Sequence, residues 1–145
     1  MSSITIELPF PPTANRYWQP VRGRLIKTKR ALNYRNLVST LLLKNSNEIR
    51  KWNPNTEKDT RTLAIAVAVH YPKKKGPDGD IDNLLKVLID CLEGILFEND
   101  RQIRHVQISR ESQETKEGSV RVTLKECPHE MKLHDGTFTV MGIHD

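Results

Sequence analysis

The hydrophobic pattern along the chain predicts strands and helices in alternation. Residues 4–10 alternate apolar and polar side chains, which is typical of a half-buried strand, and the prolines around residues 9–12 end it. Thr28 is a suitable N-cap for a helix through about residue 50, where apolar side chains recur at helical spacing. The β-branched and apolar segment 62–71 predicts a central strand.

The second half of the chain predicts one further helix and two strands. Segment 81–96 has a helical period and is apolar on most of its circumference. Segments 102–112 and 118–126 alternate apolar and charged residues with turn residues between them, so we expect an antiparallel pair. This order of elements predicts an α+β fold, a small mixed β-sheet with two main helices.

The length of 145 residues allows one domain with its own core, without a disulfide or a structural metal. We expect this domain to span residues 1–126, and a C-terminal extension, 127–145, either to add a strand to the same domain or to be poorly ordered. Cys91 and Cys127 stand in no metal-ligand or disulfide spacing and predict free thiols. No segment approaches the roughly 18 continuous apolar residues of a membrane span, so we expect a cytoplasmic protein.

Positive charge is concentrated in the N-terminal part of the chain. The net charge is +5, yet no acidic residue lies between Leu8 and Asn47. Segment 15–29 has Gly23 near its centre and predicts a hairpin or a basic loop. The charge distribution favours a polyanionic partner, and a solvated surface paired with acids elsewhere explains it equally well. Tyr17 and Trp18 fit either a nucleic-acid face or the core.

Acidic residues gather instead around segment 76–100, GPDGDIDNLLKVLIDCLEGILFEND. Asp78, Asp80 and Asp82 alternate as the first ligands of an EF-hand calcium loop do. That loop also requires a glycine and a glutamate at positions that are occupied here by Asn83 and Ile89. The EF-hand interpretation is therefore excluded.

A polar stripe runs along the helix predicted for this segment. On a helical wheel, an arc of roughly 100° holds Asp82, Asn83, Lys86, Asp90 and Glu93. A salt-bridge ladder with one N-terminal cap explains part of this stripe. Two carboxylates crowded at the helix start repel each other unless a cation lies between them, and Mg²⁺ suits such oxygen ligands. Spacing alone leaves the ladder and the metal site both open.

Four segments of the chain form a combined pattern: ITIELPFPPTANRYW, GDIDNLLKVLIDCLEG, the acidic turn END, and RQIRHVQISR. Together they resemble the RusA-type Holliday junction resolvases over about residues 4–125. The resemblance implies a Mg²⁺-dependent endodeoxyribonuclease, in which Mn²⁺ can substitute. It also implies a homodimer of α+β subunits that cuts four-way DNA junctions by paired nicks, in recombination and repair. Such an enzyme associates with the nucleoid through DNA, and a phage or prophage origin is compatible with it.

The resemblance implies specific roles for motif residues. Three acids correspond to metal ligands and one lysine to an essential catalytic residue, namely Asp80, Asp82, Asp100 and Lys86. Two further residues are candidates for supporting contacts, Asp90 and Asn83. Asn99 replaces the first acid of the family's later acidic pair, which leaves Asp100 as the expected ligand.

Basic residues on both sides of the motif are candidates for phosphate contacts. They are Arg22, Arg24, Lys27, Lys29, Arg30, Lys73, Lys74 and Lys75. Asn15, in the Pro-Pro loop, resembles a family position near the site, and an Asn turn that pins the loop explains it as well.

Two other functional classes remain open. The chain fits a non-catalytic DNA-binding or architectural protein, and it fits a general Mg²⁺-dependent nuclease without junction selectivity. A zinc nuclease is disfavoured because the five histidines form no close pair with metal-ligand spacing. The apolar circumference of helix 81–96 exceeds what one sheet covers, so we expect it to meet a twofold partner.

Overall fold

The chain folds as a four-stranded β-sheet packed against helices. The computed structural model describes residues 3–12, 17–53, 58–73, 81–112, 115–127, 133–134 and 137–138. For residues 81, 82, 133, 134, 137 and 138 it describes the backbone alone. Within these residues, no helix is long and apolar enough to cross a membrane.

The described elements follow one another in the predicted alternating order. The strands are β1 (Ser3–Pro9), β2 (Trp18–Val21), β3 (Arg24–Lys27), β4 (Leu63–His70), β5 (Ile103–Arg110), β6 (Ser119–Glu126), β7 (Leu133–His134) and β8 (Thr137–Phe138). The helices are α1 (Lys29–Lys44), α2 (Ser46–Trp52), α3 (Ile81–Leu92) and a 3-10 helix (Asp100–Gln102). Strands β2 and β3 form a separate antiparallel ribbon, and β7 pairs with β8. The predicted boundary at residue 126 stays a prediction.

The strand order in the sheet is β1-β6-β4-β5, with β4 parallel to β5 and the other pairs antiparallel. The mixed α+β fold is thus confirmed, but the predicted pairing of segments 102–112 and 118–126 is wrong. The connection between β5 and β6 hydrogen-bonds to the end of β4, where the amides of Glu111 and Thr115 donate to Val69 and Tyr71. The chain therefore crosses the end of β4 instead of folding back on β5.

Alternating burial places one face of the sheet in the core. In β1 the residues at even positions, Ile4, Ile6 and Leu8, are buried, and Ser3, Thr5 and Glu7 are exposed. Strand β4 is nearly continuously apolar, which suits a strand with a neighbour on each side. Cys91 and Cys127 are buried free thiols, as predicted.

The helix predicted from Thr28 to about residue 50 is two helices. Thr28 is confirmed as the N-cap, since its hydroxyl accepts a hydrogen bond from the Ala31 amide at 3.2 Å. Helix α1 ends at Lys44 because the Asn45 side chain donates to the Leu41 carbonyl and its backbone leaves the helical region. Helix α3 also ends early, at Leu92, and Gly94 with φ +88° follows it.

The apolar circumference of α3 is largely covered within one chain. Its buried apolar side chains are Leu84, Val87, Leu88, Cys91 and Leu92, and Leu85 and Ile89 are partly buried against the same core. The exposed large apolar residues of the described chain lie on other elements: Val21, Leu25, Ile26, Leu32, Leu37, Leu43 and Val106. The described side chains of α3 therefore give no reason to expect a partner, and a homodimer must be argued from other features.

Candidate active site

Helix α3 carries the acidic motif across the sheet from the end of β4 towards β5. Asp82 lies in its first turn, Lys86 one turn later and Asp90 one turn beyond that. With a rise of 1.5 Å per residue, Lys86 and Asp90 are about 6 and 12 Å along the axis from Asp82. Lys86 is exposed and Asn83 half-buried. Asp80 and the side chain of Asp82 lie outside the described residues.

The carboxylate of Asp90 is the centre of a hydrogen-bonded ionic cluster, which we call the Asp90 cluster. The hydroxyl of Tyr17 donates to Asp90 Oδ2 at 2.5 Å, and Arg35 Nη1 donates to the same oxygen at 2.7 Å. Arg35 also donates to the Asp90 carbonyl, and Lys27 Nζ lies 3.8 Å from Oδ1. In the described part of the chain Asp90 is therefore paired with Arg35 and Lys27, and no ion pair joins it to Lys86.

Burial determines the protonation states inside this cluster. Tyr17 is fully buried, and burial followed by the hydrogen bond to Asp90 raises its pKa, so the phenol stays protonated and donates. Burial likewise raises the pKa of the Cys91 thiol, whose sulfur lies 3.5 Å from the Tyr17 hydroxyl. Asp90 is thus the acceptor of the cluster, surrounded by a neutral donor and two cations.

The Asp90 cluster joins α3 to three consecutive elements that are distant from it in sequence. Tyr17 immediately precedes β2, Lys27 ends β3 and Arg35 lies in α1. The Thr28 amide also donates to the Tyr17 carbonyl at 2.9 Å, which closes the base of the β2–β3 ribbon. Asp90 therefore fastens the ribbon and α1 to the motif helix. The sequence did not reveal this role of Tyr17 and Arg35, because no periodicity links residues so far apart.

The second acidic segment is held by a network of caps. The Asn99 side chain accepts from the Arg101 amide at 2.8 Å, and the Gln102 side chain accepts from the Asn99 amide at 3.0 Å. Asn99 therefore serves as an N-cap, which accounts for an amide in place of the family's acid. The Asp100 carboxylate is exposed, and within the described residues it makes no hydrogen bond or ion pair.

Asp100 is held close to the C-terminal end of α3. Its amide donates to Glu93 Oε1 at 3.0 Å, and Glu93 directly follows the helix. Glu93 lies about 16 Å along the helix axis from Asp82. The described residues contain no group of three His, Cys, Asp or Glu side chains able to hold a metal ion. A common ion for Asp80, Asp82 and Asp100 thus stays a prediction.

Arg61 anchors the segment that carries Asp100. Its Nε and Nη2 donate to Asp59 at 2.9 Å each, its Nη1 donates to the Trp52 carbonyl, and its guanidinium lies 4.2 Å from the Trp52 ring centroid. Asp59 N donates to Glu98, and Gln102 donates to the Arg61 carbonyl. The hydrogen bond from Arg61 lowers the pKa of Asp59 to about 2, so this anchor is charged at neutral pH.

Aromatic contacts hold the carboxyl ends of β4 and β5, where the motif loop leaves the sheet. The Tyr71 ring centroid is 5.3 Å from that of Phe10, and the Arg110 guanidinium lies 5.2 Å from the Tyr71 ring. Lys73 is exposed just beyond, and its amide donates to the Thr115 carbonyl. In open α/β sheets, the loops at this edge of parallel strands commonly bind ligands.

The predicted phosphate contacts fall in three places. Arg22 and Arg24 are exposed at the tip of the β2–β3 ribbon, and Lys29 and Arg30 are exposed in the first turn of α1. Lys27 is partly engaged by Asp90, so it is a weaker candidate than the sequence suggested. Asn15, Lys74 and Lys75 lie outside the described residues.

Comparison with known proteins identifies the family. A family model for endodeoxyribonucleases matches residues 9–125, so the chain belongs to a family of enzymes that cut DNA. That family is RusA, as the motif predicted. Crossover junction endodeoxyribonuclease RusA from Escherichia coli K12 is 28% identical over 131 residues, covering 90% of this chain and 100% of the relative. The proteins of the same name from Escherichia coli O1:K1 and Shigella sonnei match to the same extent.

Replacing Asp90 tests the anchoring cluster. Asp90→Ala leaves the Tyr17 hydroxyl without its acceptor and two cations unpaired, and the Asp90 side chain is only 25% exposed. We expect a loss of about 2–4 kcal/mol in the free energy of unfolding in urea. Glu7→Ala removes the exposed ion pair with Arg121 and should cost less than about 1 kcal/mol. Equal effects of the two variants would refute the anchoring role.

The Asp59–Arg61 pair predicts a pH dependence of stability. The folded-state pKa of Asp59, about 2, lies below its ordinary value of 3.8, so its contribution is complete above that ordinary value and is lost as pH falls towards 2. We expect Asp59→Asn to be less stable than wild type at pH 7 and the difference to shrink between pH 4 and pH 2. Glu48→Gln, in an exposed pair with Lys51, is the control. A difference that does not change with pH would contradict the assignment.

Proposed function

We propose that this chain is a Mg²⁺-dependent, structure-selective endodeoxyribonuclease that resolves four-way (Holliday) junctions by paired symmetric nicks, in recombination and repair. Mn²⁺ is expected to substitute. The family match over residues 9–125 carries this proposal, because it covers the whole acidic motif. The names of the relatives, crossover junction endodeoxyribonucleases, support a junction as the substrate.

The proposed metal ligands suit a hard divalent cation. Asp80, Asp82 and Asp100 offer carboxylate oxygens alone, which Mg²⁺ and Mn²⁺ favour. The Asp100 carboxylate is exposed, as a ligand that must also meet DNA should be. Asp90 is left out of this set because Tyr17, Arg35 and Lys27 already surround its oxygens. A bound Mg²⁺ would supply charge that offsets the phosphate and lowers the pKa of a water.

Lys86 is proposed to act directly on the reacting phosphate. It is exposed, lies one turn from Asp82 on the same side of α3, and makes no ion pair with Asp90. We propose that its ammonium group donates to a phosphate oxygen or orients the attacking water. An ion pair with Asp90 would have to break before Lys86 could act in this way. Asp90 does not compete for Lys86, because Tyr17, Arg35 and Lys27 already surround its oxygens.

Two symmetric cuts require two active sites, so we propose a homodimer. Sedimentation of the protein at micromolar concentration should show a dimer. Monomers alone under these conditions would contradict this part of the proposal.

Cleavage of a labelled four-way junction tests the proposed function. Wild type should nick opposite strands with Mg²⁺ and not in its absence, and duplex and single-stranded DNA should survive. Asp82→Asn should abolish cleavage with junction binding intact or stronger, because a carboxylate that repels phosphate is removed. Lys86→Gln should reduce the rate at least about tenfold, the usual cost of one transition-state contact. Lys44→Gln, at the exposed end of α1, should cut normally.

The outcomes separate the other classes from this proposal. A protein that binds junctions without any Mg²⁺-dependent product is a DNA-binding or architectural protein. A protein that cuts duplex and junction at equal rates is a general nuclease. Normal cleavage by Asp82→Asn would overturn the metal assignment.

A further inference from the structure

The β2–β3 ribbon projects from the molecule. Its strands are joined by a two-residue turn, Arg22 and Gly23, with φ of 51° and 77°, which is the tight turn that suits a twisted ribbon. All residues from Gln19 to Ile26 are exposed. In the described part of the chain, the base of the ribbon is fixed by the Tyr17–Thr28 backbone hydrogen bond and by the Asp90 cluster.

The exposed part of the ribbon is both apolar and basic. Val21, Leu25 and Ile26 are exposed, and Leu25 is 73% exposed. Leu25 pairs across the ribbon with Pro20, so one face is apolar near the tip, while Arg24 pairs with Val21 on the other face. Aliphatic side chains gathered on a projecting element indicate a contact surface.

The positive charge around the β2–β3 ribbon indicates what kind of partner it binds. Between Leu8 and Asn47 the sequence contains no acidic residue, and Arg22 and Arg24 lie beside the exposed aliphatic groups. A partner must therefore combine anionic groups with apolar surface. Nucleic acid does so through phosphates and base faces, and a major groove about 12 Å wide admits a two-stranded ribbon.

The position of the ribbon relative to the proposed catalytic residues is set by Asp90. Lys27, at the end of β3, contacts Asp90, which lies one turn from Lys86 and two turns from Asp82. The base of the ribbon is thus about 12 Å along α3 from Asp82. Leu25 is two residues from Lys27 in β3, so the ribbon and the proposed catalytic residues belong to one continuous region of the molecule.

We propose that the β2–β3 ribbon enters the DNA at the branch point and that Leu25 contacts an unstacked base step there. This inference rests on the proposed junction cleavage and identifies the element that distinguishes a junction from duplex. Arginine contacts to phosphate do not distinguish the two, because both substrates offer the same backbone. An aliphatic side chain needs an opened base step, which a branch point offers and an intact duplex does not.

A pair of leucine substitutions tests the proposal. Leu25→Ser and Leu43→Ser remove equally exposed side chains, at 73% and 74%, and Leu43 lies near the far end of α1 from the ribbon. Binding is measured without divalent metal on a junction and on a duplex, with 2-aminopurine placed at the branch point. Leu25→Ser should lose about tenfold in junction affinity, little in duplex affinity, and the fluorescence increase that reports unstacking.

Leu43→Ser should match wild type in all three readouts. Equal junction affinity and equal fluorescence for Leu25→Ser and wild type would overturn the proposal, even if wild type cuts junctions normally. Loss of dimer for Leu25→Ser in sedimentation would also overturn it, because the exposed leucine would then belong to a subunit interface. A wild type that unstacks the branch point but cuts nothing with Mg²⁺ would overturn the catalytic function alone.

Discussion

The half-buried carboxylate of Asp90 is the constraint on which the arrangement of the site depends. Removing a carboxylate from water is costly unless its oxygens are fully paired, and here one phenol and two cations surround it. Tyr17 and Asp90 are 73 residues apart, so this contact is formed only when the tertiary structure is complete. It joins the ribbon, α1 and α3, which also share the hydrophobic core.

This constraint divides α3 into two functional ends. Around Asp90 the polar stripe is structural, and it fixes the elements that we propose meet DNA. At Lys86 the stripe is exposed, and Lys86 is not paired with Asp90. The regular spacing of Asp82, Lys86 and Asp90 thus covers a structural role at Asp90 and a proposed catalytic role at the other two residues. The partners that distant elements contribute determine the role at Asp90.

Features with a local physical cause followed from the sequence. The alternation in β1, the cap at Thr28 and the helix of the acidic motif each depend on neighbouring residues, and each is present. The strand order did not follow, because β6 takes its place only through pairing with β1 and β4 at long range. The helix break at Asn45 arises because the Asn45 side chain competes with a backbone hydrogen bond for the Leu41 carbonyl. The periodicity of apolar residues carries no information about such a contact. The partners of Asp90, like the strand order, depend on residues far apart in sequence, so no local pattern reveals them.

Of the candidate site, the acidic motif and the family could be predicted from the sequence. The hydrogen bonds and ion pairs of the motif residues could not.

We have proposed that a metal site on α3 and a DNA-binding ribbon fixed to it together cut both strands of a junction. Incision of a supercoiled plasmid that extrudes a cruciform measures this, because two coordinated nicks give linear DNA and a single nick gives an open circle. We expect Mg²⁺-dependent linear product from the earliest time points, with ends that map to the cruciform. Open circles that accumulate first, or incision at sites unrelated to the cruciform, would contradict it.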